Sequence, residues 1–388
     1  MKVLHTISSG GMYGAEAVIL NLARTLRGGP HECVLGVFSN SANPKIQLHE
    51  SALKEGFESH LIDCWGKVDL AAIARIRRIA TRTGMDVVHA HGYKADVYSY
   101  LALLGMGVPM VSTCHTWYDT DPFISVYGKA DRFVLRRYAR VVAVSDEVRQ
   151  RLLKAGVREQ KIRMVRNGID LRPFDGALRS HQNGPTAKNA LVVGLVGRLA
   201  WEKGVDVFLR AAAEVLVEFP ETRFVVVGEG PDQEKLERLI DASLIGESVE
   251  LLGRREEMAS VYASLDVMVS SSRQEGLPMA VLEGMASGLA LVATAVGAVP
   301  TVVVDGRTGV LVPAADAELL AAGIKDLLRS PEKRKRLGGA ARRLIEEEYS
   351  AARMTKDYLR VYEEAIAAVK RGREGRSSPA SQGSGSAE

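Results

Sequence analysis

Short runs of β-branched and aliphatic residues recur along this chain with amphipathic stretches between them, and that cadence restricts the fold more than any other feature. Residues 3–8, 33–38, 57–62, 87–90, 108–113 and 141–144 read as buried strands, and 15–26, 71–79 and 147–154 carry apolar residues at helical spacing. Strands that are apolar on both faces must be covered on both, and strands joined through helices run parallel, so the pattern predicts a doubly wound α/β sheet. It stops near 162–169. A stretch at 175–188 with Gly176, Gly184 and Pro185 reads as a linker. A second series then begins, with strands at 192–197, 224–227, 249–252, 267–270 and 291–293 and helices at 205–219 and 232–242. After Pro313 the chain reads as helical nearly to Lys370, with breaks near Pro331 and at Tyr349-Ser350. The expectation is two Rossmann-like domains, 1–174 and 190–349, separated by a linker at 175–189. A helix at 350–370 and a Gly/Ser-rich, disordered tail at 371–388 follow.

Composition narrows the class. With 46% hydrophobic and 25% charged residues and a net charge of +4, the chain is neither disordered, collagen-like nor a disulfide scaffold, and its charge gives no cause to expect nucleic acid. Residues 284–304 lack charge over a length that could span a membrane, but Gly284, Gly288, Gly297 and Pro300 cut them into pieces fit for a domain interior. Cys33, Cys64 and Cys114 form no metal or disulfide spacing, so a cytoplasmic setting is expected. Only Lys2 precedes the first apolar stretch, which runs into Ser8-Ser9-Gly10-Gly11 as a strand into a turn, not as a secretion signal. The charge is uneven: 24 Lys and Arg face 16 acids over residues 1–174, against 27 and 31 over the rest. Arg75, Arg77, Arg78 and Arg82 share one predicted helix. Arg132, Arg136, Arg137 and Arg140 share another with Phe133, Val134, Leu135 and Tyr138. Such faces are either solvated or rest on an anionic membrane that presents a lipid-linked acceptor.

Three stretches carry chemistry. The turn from Ser8 to Glu16, with Gly10, Gly11 and Gly14, joins a first strand to a first helix; its glycines let backbone N–H groups approach a phosphate, or merely make a tight turn. It matches neither the dinucleotide fingerprint nor a P-loop. Gly197-Arg198-Leu199-Ala200-Trp201-Glu202-Lys203-Gly204 lies at the carboxyl end of the second domain's first strand, where open α/β sheets bind ligands, and offers two cations to a diphosphate. The stretch Ser270 to Glu283 offers a strand end, a loop, Gly276, Leu277 and Pro278 at a helix start, and a carboxylate at each end of the Glu275–Glu283 interval.

With these elements the sequence resembles the retaining GT-B enzymes of glycosyltransferase family four, over about residues 1–370. The resemblance rests on Gly10-Gly11, on Gly197 to Gly204, and on Glu275 and Glu283 as an E-x7-E signature. It also rests on His115 after an N-domain strand and on the turn Asn167-Gly168-Ile169-Asp170. Serines at 270–272 stand where members often have Pro-Ser. The resemblance implies a GT-B fold, two Rossmann-like domains facing a cleft, with the helix at 350–370 crossing back to the first domain. It implies a hexosyltransferase that moves sugar from a UDP-, GDP- or ADP-sugar to a saccharide or lipid-linked acceptor in polysaccharide or glycolipid synthesis, without a cofactor or metal. In that reading Arg198 and Lys203 neutralise the donor diphosphate, Glu275 binds sugar hydroxyls and Glu283 the ribose. Gly11 and Gly14 meet the leaving phosphate, Gly276 to Pro278 start the donor-binding helix, His115 lies near the anomeric centre and Arg254 near the base. A nucleotide-sugar epimerase on the same fold and a non-catalytic nucleotide-sugar binding protein are the alternatives.

Two features imitate metal sites. Asp119-Thr120-Asp121 has the D-x-D form but follows His115 in the acceptor half. His89 and His91 alternate on one strand and face the same side, yet no carboxylate or cysteine cluster completes a ligand set, so packing or substrate contact is expected of them.

Overall fold

The apolar runs form strands in two parallel sheets of a computed structural model that describes residues 1–8, 11, 14–39, 46–65, 69–115, 124–177, 190–275 and 279–377. The first sheet contains β1 (Lys2–Ile7), β2 (Glu32–Ser39), β3 (Glu58–Asp63), β4 (Val87–His91), β5 (Met110–Cys114), β6 (Arg140–Ala143) and β7 (Ile162–Met164). The second contains β8 (Val192–Val196), β9 (Arg223–Val227), β10 (Val249–Gly253), β11 (Val267–Ser270), β12 (Ala290–Thr294) and β13 (Val310–Val312). Their orders, β3-β2-β1-β4-β5-β6-β7 and β10-β9-β8-β11-β12-β13, are both doubly wound. Each reverses direction at a switch point, between β1 and β4 and between β8 and β11, where strands distant in sequence become neighbours.

The chain divides into two compact units, Met1–Val165 with the segment beginning at Thr355, and Arg166–Met354. In the first, Leu4, Val34, Ile62, Val88 and Val141 pack beneath helices such as Leu70–Thr83. Asp69 starts that helix by accepting hydrogen bonds from the Ala71 and Ala72 N–H groups, and Gly84, at φ +62°, ends it. The long helix Ala351–Ser377 buries Tyr358, Val361, Tyr362 and Ala365 at helical spacing. Glu364, on the same helix, accepts from Arg140 and Arg163 at 2.9 and 2.8 Å. The helix overruns the expected tail: residues 371–377 are helical despite Gly372 and Gly375, and the next proline is Pro379. Residues 378–388 lie outside the described residues.

The second unit takes in residues from Arg166, ahead of the polar stretch that reads as a linker. Ile169 and Phe174 are the cause, for both are buried with Tyr262 and Tyr349. Ile169 also exchanges backbone hydrogen bonds with Tyr349 and Ala351 at 2.9 and 2.8 Å. A side chain at Gly168 would meet the Ser350 carbonyl at 2.5 Å, so the Asn-Gly-Ile-Asp turn fits closely against the Tyr349-Ser350 break. The final breaks fall as expected, with Ser330 capping and Pro331 opening the helix Pro331–Glu348. The uncharged stretch 284–304 divides into the end of the helix Met279–Ala286, then β12, then the short helix Val299–Val302. No helix among the described residues is long and apolar enough to cross a membrane.

One predicted helix is corrected. Ile124–Leu135 ends before Arg136, Arg136 and Arg137 lie in a turn, and Arg140 opens β6. Val134, Leu135 and Tyr138 are buried, which leaves Phe133 as the exposed member of the four apolar residues. The β-branched pair Val141-Val142 favours strand over a continued helix.

Candidate functional site

At the second switch point the chain leaves β8 through Gly197-Arg198-Leu199 and makes a single tight turn at Trp201–Lys203. Gly204, at φ +61°, then starts the helix Val205–Glu218. A Cβ on Gly204 would lie 2.1 Å from the Ser271 carbonyl oxygen, so only glycine lets the two loops approach this closely. The loop after β11 completes the join. Ser271 donates to the Lys203 and Gly204 carbonyls at 3.1 and 2.9 Å, and the Arg273 N–H donates to Glu202 at 2.8 Å. Arg273 forms two parallel bonds to Asp206, at 2.7 and 2.8 Å, and sits 5.5 Å over the Trp201 ring. Thr294, at the end of β12, donates to the Ser272 carbonyl at 2.6 Å.

This frame brings two of the sequence-predicted residues into direct contact. The Lys203 ammonium donates to Glu275 Oε1, which also accepts from Ser272 Oγ at 2.9 Å. The Glu275 side chain is only 9% exposed. Arg198, on the same loop, is exposed, and its side chain forms no ion pair among the described residues. Glu283 lies in Met279–Ala286, where its Oε2 accepts from the Tyr262 hydroxyl at 2.8 Å. Burial pushes its acid up to about 7, with the Tyr262 hydrogen bond opposing the shift. Arg254 follows β10 in solvent, 3.9 Å from Glu229. Gly276, Leu277 and Pro278 lie outside the described residues.

Gly11, Gly14 and His115 belong to the first unit. Gly11 follows β1 with φ +143°, and Gly14 opens the helix Gly14–Leu26. His115 directly follows β5, and its Nε2 lies 3.0 Å from Nδ1 of His91. His91 Nε2 in turn lies 3.0 Å from Nδ1 of His5. Parallel register pairs His5 with His89 and Ile7 with His91 across the first switch point, so His5, His89 and His91 gather on one face, all buried. Nitrogens of these three rings lie within 4.8 Å of one another, near enough to consider a metal. They are engaged otherwise. Besides the two links above, His89 bonds the Tyr362 hydroxyl at 2.8 Å and Thr113 Oγ1 at 2.7 Å. Asp119 and Asp121 lie outside the described residues.

Sequence reasoning missed several contributors. His5 carries no local motif. Tyr262 is a lone tyrosine 21 residues before its partner. Gly228 and Gly230, flanking Glu229 after β9, had a visible signal in their spacing: a Cβ on either would collide with the Gly197 or Leu199 carbonyl, at 1.9 and 2.3 Å.

The chain matches the Glycosyltransferase Family 4 model over residues 12–172 and the Glycosyl transferases group 1 model over 178–344. It is 30% identical over 380 residues to the D-inositol 3-phosphate glycosyltransferase of Streptomyces avermitilis, covering 88% of this chain and 81% of that one. This chain belongs to glycosyltransferase family 4. The family 4 chain is also 30% identical over 317 residues to the sulfoquinovosyl transferase SQD2 of Arabidopsis thaliana, of which it spans 61%. Its fold is that of Anabaena Alr3699/HepE in complex with UDP, with a TM-score of 0.81 at 20% identity over 94% of this chain and 100% of that one. The two Rossmann-like domains are thus those of the GT-B glycosyltransferases.

Proposed function

We propose that this glycosyltransferase moves a hexosyl group, with retention of anomeric configuration, from a UDP-, GDP- or ADP-sugar to a saccharide or lipid-linked acceptor. The observation that carries the reading is the Lys203–Glu275 pair at the switch point, a cation and a carboxylate held together where open α/β sheets take their ligands. As the glycosidic C–O bond breaks, negative charge gathers on the leaving diphosphate while the sugar becomes oxocarbenium-like. Lys203, with three hydrogens to donate, serves Glu275 and a phosphate oxygen at once, and Arg198 adds a second cation. Glu275 holds sugar hydroxyls and Glu283 the ribose; Arg254 lies by the base. Gly11 and Gly14 offer N–H groups to the phosphate, and His115 lies by the anomeric carbon. The UDP-bound Anabaena structure supports this donor class. The two cations supply the charge that a divalent metal brings elsewhere, so turnover in chelator is expected.

The test is incubation with each nucleotide sugar and a panel of acceptors, with NMR assignment of the product's anomeric centre. Retained configuration supports the reading; an inverted product, or sugar interconversion without acceptor, overturns it. The free cysteines accord with a cytoplasmic enzyme, and the exposed Arg77, Arg78, Arg82 and Phe133 support docking of the first unit on an anionic membrane. Binding to anionic vesicles that weakens with salt is expected, and equal partition onto neutral ones counts against it.

A further inference from the structure

We propose that His5, His91 and His115 form one hydrogen-bonded imidazole chain that orients His115 and fixes its tautomer, so that His115 offers an N–H at Nδ1 to the bound sugar. The proposal rests on the reading of His115 as a substrate contact and adds two positioning residues behind it.

The geometry sets the terms. Both N···N separations are 3.0 Å, and successive rings lie nearly parallel, inclined by 24° and 23° with centroids 5.3 Å apart. His89 packs against His91 at 4.1 Å and is itself clamped by Tyr362 and Thr113, the latter 3.1 Å from the Tyr358 hydroxyl. A cation among His5, His89 and His91 would have to break these bonds, and none of the three rings has a carboxylate partner among the described residues.

Burial keeps the rings neutral, pushing His5 down to about 3, His115 to about 4 and His91 well below the usual range. A neutral imidazole has one N–H and one bare nitrogen, and each N···N link needs one hydrogen. Three rings joined by two links therefore allow two arrangements, with all hydrogens directed toward His5 or all toward His115. The first would leave an N–H at His5 Nε2, which is buried with no partner. The second leaves its N–H at His115 Nδ1, likewise buried and unpartnered, so the two ends differ only in whether a ligand can supply the missing acceptor. His115 is half-buried at the carboxyl end of β5, where a bound sugar can supply that acceptor, whereas His5 is wholly enclosed, so the second arrangement is favoured once sugar is bound.

The test uses full-length protein labelled with 15N-histidine. With nucleotide sugar bound, long-range 1H–15N spectra should show His115 protonated at Nδ1 and bare at Nε2. His91→Phe keeps the ring volume but removes both links; His115 should then become a mixture of tautomers, and kcat should fall about tenfold or more with donor KM little changed. His91→Asn places an amide near the Nδ1 position, restoring a donor to His115 without the link to His5, and should recover most of kcat. A proton on His115 Nε2 in the wild type with nucleotide sugar bound, or no recovery in a folded His91→Asn, overturns the proposal, and should His91→Phe fail to fold, these two results still decide it. Full activity in His115→Asn would instead overturn the reading of His115 as a substrate contact, leaving the tautomer result to stand or fall by its spectra.

Discussion

Replacing Glu283 by glutamine tests the donor site where its electrostatics are most defined. Tyr262 occupies Oε2 at 2.8 Å, and Oε1 accepts no hydrogen bond among the described residues, so one oxygen is left to accept from a ribose hydroxyl. A hydrogen bond to an ionised carboxylate contributes about 1.5–3 kcal/mol, so Glu283→Gln should weaken nucleoside diphosphate binding about 10- to 150-fold. The effect should depend on pH. Burial lifts the Glu283 acid to about 7, so at pH 8 it is mostly ionised and at pH 6 mostly protonated. Wild-type affinity should therefore fall between pH 8 and pH 6 by more than that of Glu283→Gln, and the two should converge at the acid end. The nucleotide's own terminal phosphate titrates alike with both proteins and cancels in the comparison. The amide oxygen of the substituted side chain still accepts from Tyr262, so the fold should be preserved. Calorimetric titration of UDP, GDP and ADP at both pH values is the assay. Equal affinity of the two proteins at pH 8, or parallel pH profiles, would refute the ribose assignment.

Glu275→Gln should lower kcat about 10- to 100-fold while leaving nucleoside diphosphate affinity nearly unchanged, since it acts on the sugar; steady-state kinetics and the same calorimetry separate the two. Gly204→Ala forces a Cβ to 2.1 Å from the Ser271 carbonyl at a left-handed φ. It should cost about 1–3 kcal/mol, read as a lower urea midpoint. Asp96 and Asp131 are buried beside each other; burial raises both acids, against hydrogen bonds from Ser112 and Asp131 at Asp96, and the neighbouring Asp96 raises Asp131 further, so the native state keeps a proton that the unfolded chain releases above about pH 4. That contribution is complete in acid and is lost as pH rises, so Asp131→Asn should gain stability over the wild type between pH 5 and about pH 8; an equal difference at both ends would argue against a retained proton.

Strand positions were legible because each strand is an apolar run with no competing signal, and β13 escaped because Val310-Leu311-Val312 is too short to register a period. The cations and carboxylates of the donor loops were legible for a related reason: each set lies within one βα turn, so its members are close in the chain. Even there, the family resemblance implies a phosphate for Lys203 and a sugar for Glu275 without suggesting that the two side chains meet, because β8 and β11 are brought together only by the switch point. His5 was illegible on the same ground. It is separated from His91 by 86 residues, and although His89 and His91 alternate visibly on one strand, nothing local marks His5 until parallel register sets β1 beside β4. A doubly wound sheet creates its ligand-binding crevice by making neighbours of strands that sequence order keeps apart. Motifs within one loop therefore reveal which chemical groups a site contains, while the contacts that tune those groups form across the switch point, and only the strand order discloses them.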